Sequence, residues 1–365
     1  MVRDGVFMND YQSFLKELIS MPGLSGNEDS VRKSIQERWR GSVDDLWVSP
    51  LGSLHGLKRG KKGNIHPKIL IATHMDAVGM IVTKVQDSYL RFSSIGGLDS
   101  RVLPYQPVVI HGRKDIPGVI ASPIDRHLLK EFQSKSVPIS YLFIDTGIAS
   151  DDLKGLVRPG DFISFGNEPT ELDSKTIMGH TLDNRASVTA LTVCLELLQD
   201  RIHMWDIVAV ATVQEEIGLK GARTSGFAEK PDLAIAVDVG FSKEPGASGF
   251  YLLEQGSGPA LGWGPVINPV LFDAVEDLAK TLSIPFTKEI NPGGRTGTDA
   301  DALSLTSEGI PTLVISIPLR FMHSPTEIIQ YEDVYQTGRL LAEFISVLDE
   351  EFLDTLIPDD LDEEN

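Results

Sequence analysis

The chain has 365 residues, of which 41% are hydrophobic and 23% are charged, a composition typical of globular proteins. This length is sufficient for two domains, or for one large domain that carries an insertion. The 52 acidic residues outnumber the 33 Lys and Arg residues and give a net charge of -19, which argues against nucleic acid and other polyanionic partners.

Cysteine usage and the N-terminal segment predict the compartment. Cys194 is the only cysteine in the sequence, so no intramolecular disulfide can form, and we expect a reducing cytoplasm. The first residues lack the continuous apolar core of a signal peptide, and no apolar run approaches ~18 residues. We therefore expect neither secretion nor membrane insertion.

The first part of the chain is predicted to form two helices and then a buried strand. An amphipathic helix covers about Tyr11 to Ile19, and a second helix begins after SGNED and continues to about Trp39. The segment HPKILIATHMDAVGMIVTKV does not alternate with polar residues, which predicts a strand buried on both faces of a sheet. His74 and Asp76 lie at the end of this strand.

From about Leu90 to Phe165, short β-rich segments separated by Gly and Pro predict a small inserted β-domain. Long helical patterns then alternate with the strands DIVAVATV, DLAIAVDV and PTLVISIP. The predicted fold is α/β, with a mainly parallel sheet sandwiched by helices and an inserted small β-barrel-like domain. The predicted units are 1–83 with 169–356, the insertion 84–168, and an acidic tail 357–365.

Ionisable residues cluster where the predicted strands end, as functional groups do in open α/β sheets. They occur in IATHMDAVG, MGHTLDNRAS, VATVQEEIG, AIAVDVG and SIPLRFMHSPTE. Taken singly, each has a structural explanation: Asp183 can cap a helix and Asp238 can stabilise a turn. The histidines could bond to backbone only: His74, His180 and His323.

Taken together, these residues predict a metal site. Burying carboxylates without partners is costly, and the nearby basic residues Arg185 and Lys220 are too few to neutralise five of them. Two divalent metal ions would do so, and carboxylate with imidazole ligands suits Zn, Co or Mn. The absence of a cysteine cluster argues against a closed structural zinc site.

Local geometry refines two of these segments. Positions i and i+2 of an extended chain share a face, so the Asp76 carboxylate is expected to accept a hydrogen bond from the imidazole of His74. Adjacent residues of a strand point opposite ways, so Glu215 and Glu216 can serve one site only if the backbone turns there. The following glycines, Gly218 and Gly221, permit such a turn.

Seven segments in this order resemble the tetrahedral (TET) and glutamyl aminopeptidase family of dinuclear metallopeptidases: THMDAVGMIV, IGGLDSRVL, MGHTLDNRAS, VQEEIGLKGA, AVDVG, GTDADAL and RFMHSPTE. Some members carry historical endoglucanase names, which we do not transfer. The resemblance implies removal of N-terminal residues from peptides by water that two metal ions activate. It implies that His74 and Asp238 bind one metal, that Glu216 and His323 bind the other, and that Asp183 bridges both. It also implies catalytic roles for Glu215, as the general base, and for Asp76.

The resemblance also implies self-association. Family members form dimers that build hollow tetrahedral dodecamers, and the inserted domain is the expected assembly surface. RTGTDADAL departs from the family pattern, with Thr296 among its glycines and Asp301 where a small residue is common. The preferred N-terminal residue and the substrate-binding residues are therefore left open.

Two other functions are consistent with the same residues. A deacylase or carboxypeptidase could use this centre, because two-metal hydrolysis does not determine which amide is presented. The chain could also be a non-catalytic assembly protein that has kept the fold. Loss of a metal ligand or of the general base would favour this alternative, but the sequence retains all of them. A cysteine or serine nucleophile is disfavoured, since Cys194 lies within a helical pattern and no Gly-x-Ser-x-Gly segment occurs.

Overall fold

A computed structural model describes residues 2–61, 66–123, 136–247, 249, 252–291 and 293–356. The predicted acidic tail, 357–365, lies outside the described residues. The α-helices are α1 (Val2–Ile19), α2 (Asp29–Trp39), α3 (Ser150–Leu156), α4 (Leu182–Leu197), α5 (Lys220–Glu229), α6 (Pro269–Thr281), α7 (Asp299–Leu303), α8 (Tyr331–Val347) and α9 (Glu351–Leu356), and a short 3-10 helix covers Ile139–Tyr141.

The strands, in chain order, are β1 (Asp45–Val48), β2 (Leu54–Lys58), β3 (Lys68–His74), β4 (Gly79–Gln86), β5 (Tyr89–Ile95), β6 (Pro107–His111), β7 (Asp115–Ala121), β8 (Phe143–Asp145), β9 (Phe162–Phe165), β10 (Thr170–Glu171), β11 (Thr176–Gly179), β12 (Asp206–Thr212), β13 (Leu233–Phe241), β14 (Ala260–Trp263), β15 (Thr287–Ile290), β16 (Thr312–Leu319) and β17 (Glu327–Gln330).

The main sheet has eight strands in the order β1-β2-β12-β3-β13-β16-β14-β15. Its four central strands, β12, β3, β13 and β16, are parallel to one another. The antiparallel pairs are β1 with β2, β2 with β12, and β14 with β16, and β15 joins β14 in parallel. The α/β prediction is confirmed, with a sheet that is parallel at its centre and mixed overall.

Helices cover both faces of this sheet, which explains the continuous apolar character of β3. Ile69 and Ile71 are fully buried in a core that includes residues of α4. Their neighbours Leu70 and Ala72 are equally buried on the opposite face, in a core that includes residues of α5 and α7. Because alternate side chains of a strand point to opposite faces, a strand covered on both sides needs apolar residues at every position.

The inserted segment forms a closed barrel in the strand order β4-β5-β8-β7-β6-β9 and has a hydrophobic core of its own. This confirms the predicted barrel-like insertion. The barrel strands begin at Gly79 and end at Phe165, so the predicted boundary between 83 and 84 falls within β4. Residues 124–135, between β7 and β8, lie outside the described part of the chain.

Two features of the fold were not predicted from the sequence. The first helix begins at Val2 rather than near Tyr11, and a three-stranded sheet in the order β10-β11-β17 lies beside the main one. This small sheet pairs Gly179 with Glu327 and so brings the segment before α4 next to the segment after β16. Among the described helices, none is long and apolar enough to cross a membrane.

Candidate metal centre

The candidate ligands come together at one edge of the main sheet. His74 is the last residue of β3, Asp238 lies near the end of β13, and Glu215 and Glu216 follow β12. His323 follows β16, the fourth central strand. Because parallel strands place their carboxyl ends at the same edge, residues distant in sequence meet there. Asp183, at the start of α4, completes the cluster.

Asp183 lies between the two histidines. Its Oδ1 is 3.0 Å from Nε2 of His74, and its Oδ2 is 3.3 Å from Nε2 of His323. On the outer side, His74 Nε2 is 3.5 Å from Oδ1 of Asp238, and His323 Nε2 is 3.2 Å from Oε1 of Glu216. Two groups share the Asp183 carboxylate, one with His74 and Asp238 and the other with Glu216 and His323, and each could hold a metal ion.

Backbone carbonyls orient both imidazoles. Nδ1 of His74 lies 3.0 Å from the carbonyl oxygen of Asp76, and Nδ1 of His323 lies 2.9 Å from that of Gly97. A carbonyl oxygen can only accept, so each Nδ1 carries a proton, and in the neutral imidazole Nε2 presents its lone pair to the carboxylates. Two acceptors facing each other at these distances require a proton or a cation between them.

The electrostatics of these residues give the same indication. Burial alone would lower the pKa of both histidines, but the surrounding carboxylates hold the pKa of His74 well above its usual value and raise that of His323 to about 11. Burial raises the pKa of Asp183, yet its contacts with the two imidazoles hold that pKa well below its usual range. The cluster therefore attracts positive charge strongly.

The remaining carboxyl groups carry an excess of negative charge. Burial raises the pKa of Glu215 to about 10, against the opposing effect of His74 and with added repulsion from Asp238. Burial also raises the pKa of Glu216 and of Asp238. These groups resist ionisation because too few positive charges surround them.

No lysine or arginine in the described part of the chain forms an ion pair with the five predicted ligands. Arg185 is fully buried, but its guanidinium donates to backbone carbonyls at the end of α1, including those of Leu18 at 2.6 Å and Pro22 at 2.5 Å. Lys220 is exposed. Oδ1 of Asp183 and Oε1 of Glu216 are buried without a hydrogen bond from any described group. Unpaired oxygens beside imidazole lone pairs fit divalent cations.

The predicted hydrogen bond between the Asp76 carboxylate and His74 is wrong. Oδ1 of Asp76 is 3.8 Å from Nδ1 of His74, which donates to the Asp76 backbone carbonyl instead. The carboxylate accepts from the backbone N–H of Glu215 at 2.9 Å, the N–H of Glu216 at 3.3 Å, and the hydroxyl of Ser25 at 2.6 Å. β3 ends at His74, so the alternation of an extended strand no longer applies at Asp76.

The backbone does turn at the Glu215–Glu216 pair, but the turn begins at Gln214, four residues before the first of the two glycines. Gln214 adopts a left-handed conformation with φ of 57°, and the carbonyl of Glu215 then accepts from the N–H of Gly218 at 2.9 Å. Gly218 has φ of 120°, whereas Gly221 is required for close packing, since a Cβ there would lie 2.5 Å from the Val213 carbonyl oxygen. This turn allows both carboxylates to face the site.

Two buried acids near the site were not assigned a role by the sequence. Glu327 accepts from the backbone N–H of Asp183 at 3.1 Å and from that of His323 at 2.9 Å, so one carboxylate holds two candidate ligands. Asp299 accepts from the hydroxyl of Thr212 at 2.6 Å. The position of Glu327 in the sequence could have indicated its role, because this acid lies directly before an apolar run and four residues after His323.

Of the purely structural roles considered for single residues, backbone hydrogen bonding describes His180, whereas helix capping does not describe Asp183. His180 is buried, and its ring nitrogens lie 3.2 Å from the Val78 carbonyl and 3.4 Å from the Ser324 carbonyl, so its hydrogen-bonding neighbours among the described residues are backbone groups. Burial and the charge of Arg185 lower the pKa of His180 to about 4. The residue that precedes α4 is Thr181, and no backbone N–H of the described residues donates to Oδ1 of Asp183, so the structure does not show Asp183 as the cap of this helix.

The cluster opens into a cavity of about 550 Å³. The end of β13, the end of β15, and residues 296–298 before α7 form its walls beyond the candidate ligands. The side chains there are a mixture of apolar and polar groups: Val239, Phe241, Glu289, Ile290, Asn291, Thr296, Thr298, Val314, Ser316 and Met322. A substrate could therefore bind beside the ligand cluster.

The α/β sheet with its inserted barrel thus carries, at the carboxyl edge of its central strands, a set of histidines and carboxylates that suits divalent cations. Residues 52–340 match the family model described as M42 glutamyl aminopeptidase. The chain belongs to this family of peptidases.

Individual relatives agree with this assignment. The lysyl aminopeptidase of Pyrococcus furiosus is 33% identical over 340 residues, which cover 92% of this chain and 96% of the relative. The aminopeptidase APDkam598 from Desulfurococcus kamchatkensis has a similar structure, with a TM-score of 0.89 and 33% identity over 96% of this chain and 98% of that one. The TET1 peptidase of Pyrococcus horikoshii, described as assembling into a tetrahedron or a large octahedral shell, has a TM-score of 0.80 and 28% identity over 93% of this chain and 100% of that one.

Proposed function

We propose that this protein is a metal-dependent aminopeptidase that removes N-terminal residues from peptides. The observation that carries the proposal is the cluster itself, in which the Nε2 atoms of two oriented imidazoles face buried carboxylates that no lysine or arginine of the described chain neutralises. Family membership and the names of the relatives support peptide hydrolysis in particular.

Two divalent cations, Zn or Co in preference and Mn as an alternative, are proposed to occupy the cluster. His74 and Asp238 would hold one cation, Glu216 and His323 would hold the other, and Asp183, which belongs to both groups, would contribute to both sites. Divalent cations in such a site supply a water of lowered pKa and stabilise negative charge on the substrate carbonyl oxygen. The carbonyls of Asp76 and Gly97 keep the two imidazoles in the ligating orientation.

Glu215 is proposed as the general base. Its carboxylate lines the cavity and has only a loose contact with His74, 3.9 Å from Oε2 to Nε2, so it is free to move a proton. It would take a proton from the attacking water and return it to the leaving amine. Asp76 would position this base, since it holds the backbone N–H of Glu215.

Exopeptidase action is proposed from the charge of the cavity. The carboxylates of Glu215, Glu216 and Asp238 line it, and an acidic wall favours the cationic α-amino group of a peptide. N-terminal acetylation removes that charge and should abolish cleavage. Rapid release of internal fragments would contradict this part of the proposal.

The test is turnover of aminoacyl p-nitroanilides after chelation and reconstitution with Zn, Co or Mn. Glu215→Gln should retain cation stoichiometry and fold while kcat falls by ~10²- to 10⁴-fold. Glu308→Gln, which changes the same charge at an exposed position, is the matched control. Cleavage of N-acyl amino acids in preference to aminoacyl substrates would instead identify a deacylase.

Self-association is proposed from the named relatives. The TET1 peptidase assembles into closed shells, and the inserted barrel, 84–168 by the predicted boundaries, is the proposed assembly surface for a dimer and a tetrahedral dodecamer of this chain. Residence in the cytoplasm is proposed from the single buried Cys194. Light scattering of the purified chain, with and without cations, tests the assembly.

A further inference from the structure

Glu289 is a half-buried acid in the cavity that the proposed mechanism does not use. It lies near the end of β15, and its side chain forms part of the same cavity wall as Gly240 and Ser316. Its neighbour on the strand, Lys288, points to the other side and pairs with Glu276 at 2.6 Å. Glu289 is therefore separated from the nearest lysine by the alternation of the strand.

The contacts of Glu289 leave part of its carboxylate unused. The hydroxyl of Ser316 donates to Oε2 at 2.5 Å, and no ion pair to Glu289 is found among the described residues. Gly240 leaves space for the other oxygen, since a Cβ at that glycine would lie 3.0 Å from Oε1. An ionised carboxylate can accept about four hydrogen bonds, so this group has acceptor capacity directed at the cavity.

Such a group is costly to the fold by itself. Burial raises the pKa of Glu289 to about 7, with the Ser316 hydroxyl opposing and the charge of Asp238 adding to the shift. A poorly solvated carboxylate without a cationic partner lowers stability unless a bound cation compensates for it. A function in binding a cation explains why it is placed there.

The position of Glu289 relative to the ligand cluster suits a substrate side chain. Ser316 on β16 is the register partner of Asp238 on β13, and neighbouring strands are ~4.8 Å apart. Glu289 lies on the far side of Ser316, one side chain beyond the candidate ligand. Apolar residues, among them Ile290 and Val314, line the cavity around it. Apolar walls with an acid at the end match an aliphatic stem that carries a positive charge.

We propose that Glu289 binds the side chain of the N-terminal substrate residue and makes this protein selective for lysine and arginine at that position. The inference rests on the proposed aminopeptidase function. The α-amino group and scissile carbonyl lie at the ligand cluster, the stem crosses the apolar wall, and the cationic head group reaches the Glu289 carboxylate.

The experiment compares kcat/KM for Lys-, Arg-, Met-, Leu- and Glu-p-nitroanilide in the reconstituted enzyme. Methionine has an unbranched side chain without charge, so the Lys-to-Met ratio isolates the contribution of the head group. In Glu289→Gln this ratio should fall by about 10- to 100-fold, because a charge-assisted hydrogen bond is lost while the cavity keeps its shape. Turnover of the Met substrate should stay near wild type, and Glu308→Gln should leave both values unchanged.

A second variant separates binding from a structural role. Glu289→Met should preserve the fold or raise the melting temperature, and should prefer Leu and Met substrates; a lower melting temperature with unchanged preference would overturn the proposal. An equal loss for every substrate in Glu289→Gln would assign the carboxylate to the α-amino group and also overturn it. Wild-type preference for Leu or Glu refutes the inference alone, whereas no aminoacyl turnover with any cation refutes the proposed function and the inference together.

Discussion

The substitution Asp76→Asn tests whether the turn that carries Glu215 and Glu216 is held by a carboxylate. In the native site, Oδ1 accepts from the N–H of Glu215 at 2.9 Å and Oδ2 from that of Glu216 at 3.3 Å. Asparagine replaces one of these oxygens with an NH2 group, which is a donor and would face a backbone donor. One buried N–H must then stay unpaired or the turn must move.

The expected effect follows from these contacts. An unpaired buried donor costs ~1–3 kcal/mol, and displacement of residues that support a metal site lowers activity or metal affinity by ~10- to 100-fold. We therefore expect kcat of Asp76→Asn at saturating cation to fall by about 10²-fold. Ser25→Ala is the matched control, because it removes only the hydroxyl donor to Oδ2 at 2.6 Å and leaves both backbone bonds. Its effect should be about fivefold or less.

The assay measures kcat, cation affinity by calorimetry and the melting temperature separately, so that loss of fold is distinguished from loss of position. If Asp76→Asn keeps wild-type kcat and wild-type cation affinity, the carboxylate does not position the base. If Ser25→Ala is as damaging as Asp76→Asn, the hydroxyl rather than the backbone contacts is the important partner.

Two further predictions concern cation binding. Glu327→Gln should weaken cation affinity ~10- to 100-fold in equilibrium dialysis, because its carboxylate holds the backbone N–H groups of both Asp183 and His323; unchanged affinity would remove this positioning role. Because the surrounding carboxylates raise the pKa of His74 and of His323, they favour the protonated imidazoles, with which a cation must compete. Cation binding must then release protons, so affinity should rise with pH and calorimetric heats should depend on the ionisation enthalpy of the buffer; pH-independent binding would contradict this.

Much of the fold could be predicted because it is determined by local patterns. The continuous apolar run of β3 and the helical periodicity of α4 each predicted an element that the structure contains. The small sheet β10-β11-β17 escaped prediction because its strands are short and because β17 pairs with β11 across a large sequence separation. No local pattern records such pairing.

The convergence of the candidate ligands was predictable because parallel strands end at one edge, which places His74, Asp238 and His323 together regardless of their separation in sequence. Their contacts were not predictable. The bond of His323 to the Gly97 carbonyl joins the site to the barrel, and the turn at Gln214 occurs at a residue type that does not mark left-handed backbone. The interpretation of Asp76 failed because it assumed that extended geometry continued past the end of β3.

The contacts of the barrel indicate that it is part of the site and not only a cover. The chain enters the barrel just after Val78 and leaves it at Phe165, and His180 contacts both residues. Its Nε2 lies 3.2 Å from the carbonyl oxygen of Val78, and its ring packs edge-on against that of Phe165, with 4.8 Å between the ring centroids. The same imidazole lies 3.4 Å from the carbonyl of Ser324, directly after His323. The buried His180 thus lies between the base of the barrel and the loop of a candidate ligand, while the barrel carbonyl of Gly97 orients that ligand. Because these contacts share one loop, any displacement of the barrel would move the second half of the candidate metal centre with it.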